Sequence, residues 1–408
     1  MRILMLTQWF NPEPAFKGLS FAKELIKLGH DVEVLTGFPN YPGGKVYDGY
    51  RIRYMQREIL EGISVVRVPL YPSHDTSSIG RILNYGSFAF SAGTIGSLLT
   101  KPADVLYVYH PPATIGLPAS IIHFLRNIPF VYDIQDLWPD TLAATGMLTN
   151  KIVLAMVNKW CGFVYRQASR IVVLSPGFKK ALCSRGVPSN KIDVIYNWCD
   201  ENQIQTTGRD EELARTLGLS EKFNIVFAGT MGKAQALDAV IDAAKLLADR
   251  YPVIQFVFVG SGVEVEHLQQ KAKKMQLVNV LFLPQRPLSK IGQILNLADV
   301  LLVHLKDDPL FKITIPSKTQ AYMAAGRPIL MGVNGDAADL IEYAKAGVCC
   351  TPENKISIAE SVEKLFTMSR TQRETMGNNG REYYQKKLSL MIGVRRFEEI
   401  FKSVVRIQ

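Results

Sequence analysis

Short apolar runs that alternate with amphipathic stretches organise the first half of the chain. Between the first two runs, Phe21, Leu25 and Leu28 share one helical face, and Gly29 follows at the usual helix end. Such alternation is typical of a parallel sheet with helices on both faces, and it begins here with a βαβ unit. The predicted strands are 2–7, 32–36, 63–68, 105–109, 130–134 and 171–174.

The same alternation restarts after Asp200. It predicts helices at 237–247 and 391–405 and strands at 224–228, 254–259, 280–283, 300–304 and 329–331. We therefore predict an α/β protein with two Rossmann-like domains, 1–200 and 201–385, and a C-terminal helical segment, 386–408, that packs back toward the first. Ligands of open α/β sheets bind beyond the carboxyl ends of the strands, so we expect them in a cleft that the two domains face.

Residues 82–100 carry no charge and nearly reach the length of a membrane span. The segment also contains Asn84, three glycines and several hydroxyl groups, and it lies inside the strand and helix alternation. These features favour a buried or surface-seated helix over a span. Two apolar segments with a cation, 79–83 with Arg81 and 115–125 with Arg126, predict a patch that rests on a membrane surface.

The charge distribution points to an anionic partner. Of 408 residues 47% are hydrophobic and 21% charged, which excludes a disordered chain, and the formal net charge is +10. No acidic residue occurs between Asp140 and Asp193. A solvated basic face is the plain alternative, but we favour an anionic membrane surface. Nucleic acid is disfavoured as a partner, because no recognition motif accompanies the charge. The basic residues are Lys151, Lys159, Arg166, Arg170, Lys179, Lys180, Arg185 and Lys191.

The N-terminal sequence and the spacing of the cysteines indicate the cellular compartment and the redox state of the chain. The first ten residues read as a buried strand and not as a signal peptide, so we expect a cytoplasmic chain peripherally associated with the inner face of the cell membrane. The five cysteines have no metal-type spacing, and we interpret all of them as reduced structural residues.

Two loops that follow strands have the composition of anion sites. The loop 229–235 combines Gly229, Gly232 and Lys233 before a helix, which favours a phosphate-binding loop over a plain turn. Loop 11–18 is a weaker candidate of the same kind. Neither GxGxxG nor a Walker sequence occurs, which counts against dinucleotide oxidoreductases and ATP-dependent phosphoryl transfer.

Two further residues lie where strands end. Asp136 follows the strand 130–134, and a carboxylate there could orient or deprotonate an acceptor hydroxyl, although a turn or cap aspartate remains an alternative. His110 follows the strand 105–109 and is either a site residue or a structural histidine.

Several blocks together resemble the GT-B glycosyltransferases of family 4, over essentially the whole chain. They are 29–32, 136–139, 172–177, 195–197, 229–235 and 315–328. Residues 38–44 and 71–75 are similar, more narrowly, to WbuB-type enzymes of bacterial surface-polysaccharide assembly, which are assigned as N-acetyl-L-fucosamine transferases. The resemblance implies transfer of a 6-deoxy acetamido sugar from UDP to a polyprenyl-diphosphate-linked sugar in O-antigen or capsule assembly.

The resemblance also implies site residues. A reaction of this family requires neither a metal nor a cofactor beyond the UDP-sugar co-substrate, because lysines and the dipoles at helix N-termini neutralise the departing diphosphate. The implied donor-binding residues are Gly229, Gly232, Lys233, Gln235, Gly260, Gly262, Ser317 and Lys318. The implied catalytic residues are Asp136, His110 and Lys318. The implied acceptor-binding residues are Glu13, Lys17, Gly18 and Asp133.

The chain departs from this family at four positions. Two glutamates eight positions apart, for the donor sugar and the ribose, are replaced by Ile313 and Ala321. An arginine and a lysine often found in the first phosphate loop are replaced by Thr230 and Gln235. These changes leave open how the ribose and the donor sugar are held, and whether the anomeric configuration is retained.

Two other functions fit the same pattern. A UDP-sugar 2-epimerase can share this architecture and would act without an acceptor. The third hypothesis is a non-catalytic protein that docks assembly partners at the membrane. The absence of the two glutamates slightly favours this hypothesis.

Overall fold

The computed structural model describes residues 1–73, 78–144, 146–204 and 208–406. The chain divides into two compact units, the first built from Met1–Ile195 with Val394–Gln408 and the second from Tyr196–Gly393. His74 and Asp75, which belong to the narrower sequence likeness, lie outside the described residues.

The first unit contains one sheet flanked by helices. Its described strands are β1 (Arg2–Leu6), β2 (Asp31–Gly37), β3 (Gln56–Leu60), β4 (Ile63–Val68), β5 (Val105–His110), β6 (Phe130–Ile134), β7 (Arg170–Val173) and β8 (Ile192–Val194). Its described helices are α1 (Leu19–Lys27), α2 (Ser78–Ser91), α3 (Ser97–Leu99), α4 (Gly116–Arg126), α5 (Asp140–Ala144), α6 (Lys151–Gln167) and α7 (Pro176–Ser184). A π-helical turn, Ala92–Gly96, joins α2 to α3.

The strand order of this sheet is β3-β4-β2-β1-β5-β6-β7-β8. All neighbours are parallel except β3 and β4. Successive strands are added on one side of β1 and then on the other, so the order reverses between β1 and β5. In doubly wound sheets this switch point, at the carboxyl edge, is where ligands bind. The loop after β1 and the end of β5 lie at that edge.

The second unit repeats the architecture. Its described strands are β9 (Phe223–Ala228), β10 (Ile254–Val259), β11 (Val280–Leu283), β12 (Val300–His304), β13 (Ile329–Gly332) and β14 (Gly347–Cys349). Its described helices are α8 (Glu211–Thr216), α9 (Asp238–Ala248), α10 (Val265–Lys274), α11 (Leu288–Asn296), α12 (Pro309–Lys312), α13 (Ser317–Ala325), α14 (Asp336–Tyr343), α15 (Lys355–Thr367) and α16 (Arg370–Tyr383).

The second sheet is entirely parallel in the order β11-β10-β9-β12-β13-β14. Residues of β9 alternate between its two faces. Val226 and Ala228 enter one apolar core, and Ile225 and Phe227 enter the other. A strand whose two faces are both covered consists mostly of apolar residues. This explains why the sequence shows these strands as nearly continuous apolar runs.

The last helix, α17 (Leu390–Arg406), has most of its length in the first unit. Phe397 packs edge-on against Phe21 and Tyr107, with ring centroids 5.2 and 5.5 Å apart. Nε2 of His30 and Oε1 of Glu398 are within hydrogen-bond distance, 2.9 Å apart. The amphipathic pattern in 391–405 therefore corresponds to a helix whose apolar face closes part of the first core.

The predicted fold class is confirmed, and every predicted strand is present with ends that differ by at most one residue. Three strands were missed. β3 is a half-exposed edge strand with charged residues, and β8 and β14 are three residues each at sheet edges. Edge strands carry little apolar sequence, because they bury little surface.

No helix in the described ranges is long and apolar enough to cross a bilayer. The uncharged segment 82–100 forms most of α2, the π-helical turn and α3. The preference for a helix of the first domain over a membrane span is therefore confirmed.

Candidate functional site

Two glycine loops pack together at the carboxyl edge of the second sheet, after the neighbouring strands β9 and β10. Gly229 has a φ of 138°, and a Cβ there would lie 2.5 Å from Cε of Lys318. Gly260 has a φ of 145°, and its Cβ would overlap the carbonyl oxygen of Gly229. Only glycine meets both constraints. Gly262 lies against the backbone of Met231 in the same loop pair. The result is an exposed backbone surface of the kind that binds phosphate.

The turn after Gly229 is held by its own side chains and by a histidine. Gly232 N–H donates to Oε1 of Gln235 at 2.9 Å. Nδ1 of His304, at the end of β12, donates to the Gln235 carbonyl at 2.7 Å, and its Nε2 accepts from the Glu353 N–H at 3.1 Å. Burial lowers the pKa of His304, in keeping with this neutral tautomer. Gln235 thus shapes the loop, and His304 fixes the loop's position.

Lys318 lies beneath this loop, in the first turn of α13. Its Nζ is 3.6 Å from the centroid of the Phe227 ring and would lie 3.1 Å from a Cβ at Gly229. Burial lowers its pKa to about 7. No carboxylate of the described residues lies within ion-pair distance of it. A buried cation without a counterion is costly, and such groups concentrate at functional sites.

Two further predicted donor residues, and the two positions where the family's glutamates are missing, lie in the same unit. Lys233 and Ser317 are exposed, with Ser317 in the first position of α13. Ile313 ends the short α12 and Ala321 lies within α13, and both are half-buried. Neither has a side chain that can hydrogen-bond, so the second unit offers backbone groups and cations but no carboxylate at these positions.

In the first unit, two predicted acceptor residues bind one another. Nζ of Lys17 and Oδ2 of Asp133 are 2.6 Å apart, and both side chains are fully buried. Asp133 also accepts from the Tyr107 hydroxyl and from Nε2 of Gln135, each at 2.6 Å. Lys17 further lies over the Phe397 ring at 4.9 Å. The pair forms a neutral, hydrogen-bonded unit in the core and does not present two separate charges to solvent.

Glu13 and Gly18 shape the loop after β1. The Glu13 carboxylate accepts from the backbone N–H groups of Asn40 and Tyr41, both at 2.7 Å, and of Phe10 at 3.2 Å. Burial outweighs these bonds and raises the pKa of Glu13 to about 7. A Cβ at Gly18 would lie 2.7 Å from Oδ1 of Asn11, which accepts the Leu19 N–H at the start of α1. Glu13 thus joins the loops after β1 and β2.

His110 and Asp136 lie at the ends of β5 and β6. Burial lowers the pKa of His110 to about 3, so its ring is uncharged at neutral pH. Nδ1 of His110 has no hydrogen-bond partner among the described residues. Burial raises the pKa of Asp136, and its carboxylate accepts no hydrogen bond from the described residues. A carboxylate with a raised pKa and free lone pairs can act as a general base.

The sequence alone indicates no more than a structural role for His304, and it does not single out Tyr107, although both hold predicted site residues in place. His304 ends β12, whereas Tyr107 lies in the middle of β5, and both occur in largely apolar runs. Their contacts join segments that are far apart in the chain, so the run itself could not reveal them.

Family comparison assigns both halves. Residues 19–198 match the family described as "Glycosyl transferase 4-like domain", and residues 209–383 match "Glycosyl transferases group 1". The chain is therefore a glycosyltransferase with a 4-like domain followed by a group 1 domain. The match covers both Rossmann-like units, so the glycine loops and Lys318 lie in the group 1 domain, and Glu13, Lys17 and Gly18 precede the matched part of the first.

Individual relatives extend over most or all of this glycosyltransferase. A putative colanic acid biosynthesis glycosyl transferase, WcaI of Escherichia coli, is 27% identical over 97% of this chain and 98% of its own. The probable glycosyltransferase WbjE of Pseudomonas aeruginosa is 23% identical over 79% and 81%. The crystal structure of Anabaena HepE in complex with UDP superposes with a TM-score of 0.75 at 18% identity, covering 99% of this chain and 100% of that one. At that identity the structural likeness shows the fold alone.

Proposed function

We propose that this glycosyltransferase moves a sugar from a UDP-sugar to a polyprenyl-diphosphate-linked sugar during assembly of a bacterial surface polysaccharide such as O-antigen or capsule. The observation that carries the proposal is Lys318, a half-buried cation beneath a glycine loop, with no counterion among the described residues. The similarity to WcaI, a putative colanic acid biosynthesis glycosyl transferase, supports a role in polysaccharide assembly, and the UDP in the HepE crystal supports the donor class.

The chemistry assigned to the second unit is stabilisation of the leaving diphosphate. Backbone N–H groups of the loop 229–235 and the start of α13 would bind the phosphate oxygens, and Lys318 would supply positive charge. Because the lysine is already desolvated and in place, little reorganisation is needed when charge develops on the diphosphate. We further propose that the reaction uses no metal and no cofactor beyond the UDP-sugar.

The chemistry assigned to the first unit is activation of the acceptor. Asp136 would accept a proton from, or orient, the attacking hydroxyl, and neutral His110 would supply a hydrogen bond. We propose a 6-deoxy acetamido sugar, N-acetyl-L-fucosamine, as the transferred group. The resemblance of residues 38–44 to such transferases supports this choice, as does the loss of hydrogen-bonding side chains at Ile313 and Ala321.

We also propose that the first unit rests on an anionic membrane. Helices α2, α4 and α6 pack side by side, and each exposes large apolar side chains to solvent. The largest exposures are those of Phe124 at 86%, Ile152 at 73% and Ile79 at 71%. A cavity of about 560 Å³ nearby is lined by four cations and no acidic residue, which suits anionic headgroups. Those cations are Lys159, Arg166, Arg185 and Lys191.

Thermal unfolding with and without UDP tests the donor site. We expect UDP at a hundred times its Kd to stabilise the wild-type chain by about 2.7 kcal/mol. The Lys318→Met variant should lose most of that stabilisation, whereas Lys233→Met, an exposed cation of the same loop, should lose less. No stabilisation of the wild type at millimolar UDP would contradict the proposal.

Mass spectrometry of reactions with UDP-N-acetyl-L-fucosamine and a short-chain lipid diphosphate sugar tests the transfer. We expect a product only when donor and acceptor are both present. An isomer formed from the donor alone would identify an epimerase instead. UDP binding without any product, across a donor and acceptor screen, would favour a docking protein.

Vesicle sedimentation tests the membrane surface. We expect binding to phosphatidylglycerol vesicles and little binding to phosphatidylcholine vesicles. Phe124→Ser combined with Leu125→Ser should weaken binding, whereas Tyr343→Ser, an equally exposed aromatic of the second unit, should not. Equal binding of the double variant would contradict the assigned surface.

A further inference from the structure

Three aromatic side chains cluster at the carboxyl edge of the first sheet. Trp9 follows β1, Tyr41 follows β2 and Tyr85 lies on α2. The rings of Trp9 and Tyr41 are stacked with centroids 4.6 Å apart, and Tyr85 packs edge-on against Trp9 at 6.4 Å. All three are only partly buried. The cluster therefore leaves aromatic surface open at the edge of the sheet where ligands bind.

A buried amide network lies directly behind this cluster. Nε2 of Gln8 donates to Oδ1 of Asn84 at 2.6 Å, and Nδ2 of Asn84 donates to Oδ1 of Asn40 at 3.1 Å. Each amide is the chain neighbour of one aromatic residue. The network therefore ties together the three segments that carry the rings, and Glu13 adds its bonds to the Asn40 and Tyr41 N–H groups.

Packing alone does not explain why three amide side chains are buried here. Gln8, Asn84 and Asn40 are each at most 2% exposed, and buried polar side chains cost free energy unless they are fully paired. Oε1 of Gln8 still has no partner among the described residues. Buried amides of this kind, next to three aromatic rings that are partly exposed to solvent, are characteristic of a binding site that is preorganised for its ligand.

The cluster lies beside the proposed base. Strand β5 separates β1 from β6, so the residues that follow β1 and β6 start about 10 Å apart. Asp136 follows β6, and His110 at the end of β5 lies between them, with its ring 6.0 Å from that of Trp138. Burial raises the pKa of Tyr85, the Arg81 cation lowers it, and the Asp136 carboxylate adds to the rise, which agrees with the proximity of Tyr85 to Asp136.

We propose that Trp9, Tyr41 and Tyr85 form a stacking platform for the acceptor's sugar ring, an inference that rests on the proposed function. The π-face of an aromatic ring is negative, and the C–H groups of a pyranose are weakly positive, so a ring with a C–H-rich face stacks well. A gluco-configured sugar, with equatorial hydroxyls, has such a face. An axial hydroxyl on the stacked face would lose hydration without gaining a partner. The platform thus stacks against a C–H-rich face of the acceptor's sugar ring and holds that ring near Asp136.

Steady-state kinetics with a short-chain lipid diphosphate N-acetylglucosamine acceptor test the platform. We expect Trp9→Ala to raise the acceptor KM by about tenfold or more, as loss of one stacked ring does elsewhere, with the donor KM unchanged. Trp9→Phe should restore most of the affinity, because it restores a π-face. Tyr54→Ala, which removes a 71% exposed tyrosine of the same unit, is the matched control and should change neither KM.

A second measurement does not depend on turnover. Addition of methyl β-N-acetylglucosaminide should change the tryptophan fluorescence of the wild type, and that change should be absent in Trp9→Phe. Asn84→Asp, which removes the amide N–H donors to Oδ1 of Asn40 and to the Tyr71 carbonyl, should raise the acceptor KM without altering the stabilisation by UDP.

The outcomes separate this inference from the function on which it rests. If the wild type transfers sugar and Trp9→Ala keeps the wild-type acceptor KM, the platform is wrong and the function stands. If the wild type neither transfers sugar nor is stabilised by UDP, the proposed function falls. Loss of donor and acceptor affinity together in Trp9→Ala, with a lowered melting temperature, would assign the ring to folding and overturn the platform.

Discussion

Each unit of this glycosyltransferase places a lysine near the carboxyl edge of its sheet, Lys17 fully buried and Lys318 half-buried, and the two lysines have opposite surroundings. Lys17 in the first unit forms a fully buried ion pair with Asp133 at 2.6 Å. Lys318 in the second unit lies over an aromatic ring, and among the described residues no carboxylate is near it. The first arrangement neutralises a charge inside the fold, whereas the second leaves one available for an anion. Burial alone therefore does not distinguish a structural lysine from a functional one, but its partners do.

The same substitution at both lysines tests this contrast, beginning with the larger effect. Lys17→Met leaves Asp133 as an uncompensated buried charge, and we expect the free energy of unfolding to fall by about 3–5 kcal/mol. Denaturant unfolding measures it. Lys318→Met removes a buried charge without stranding a partner, so its stability should be unchanged or higher. A loss of similar size in both variants would remove the distinction.

Catalysis should respond in the reverse way. We expect Lys318→Met to lower kcat by roughly 100- to 1,000-fold, as removal of one group that stabilises a transition-state charge does in other enzymes. Initial rates of UDP release measure it. Retention of more than a tenth of the wild-type kcat by a folded Lys318→Met chain would show that the leaving diphosphate does not depend on this cation.

The pH dependence of UDP binding sharpens the assignment of Lys318. Its pKa in the free protein is lowered to about 7, and a bound diphosphate would raise it, because the anion favours the charged form. The added affinity is therefore present below about pH 7 and declines as the pH rises above that value. Calorimetric titration of UDP between pH 6 and pH 9 should show the decline in the wild type and not in Lys318→Arg, whose charge persists.

The smallest expected effect concerns the carboxylate that joins two loops of the first unit. Burial raises the pKa of Glu13 from 4.5 to about 7, so the protonated form is favoured by folding. Its contribution to stability is complete below about pH 4.5 and is lost as the pH rises through 7. The stability difference between the wild type and Glu13→Gln should therefore shift in favour of Glu13→Gln, by on the order of 1–2 kcal/mol, between pH 5 and pH 8. Unfolding by urea at the two pH values measures it, and a constant difference would contradict the assignment.

The sequence predicts the fold well where strands are buried on both faces. Strands such as β10, with the sequence IQFVFV, are apolar except for one residue, Gln255, because both faces of the sheet are covered. The sequence does not predict β3, because this exposed edge strand, QREIL, begins with three polar residues and contains no apolar run. For the candidate site, the sequence located the loops, since glycines after strands are visible in the chain. It did not reveal that Lys17 and Asp133, 116 positions apart, bind one another.

The sequence by itself determined two Rossmann-like domains, their glycine loops and the positions of the candidate side chains, because periodicity and glycine placement act over a few neighbouring residues. Only the tertiary structure decided which polar groups have partners. His304 against Gln235, the Gln8, Asn84 and Asn40 network, and the isolation of Lys318 all depend on segments that meet only in the folded chain. The strength of a charge or hydrogen bond is set by what surrounds it in space, and a linear pattern does not contain that information.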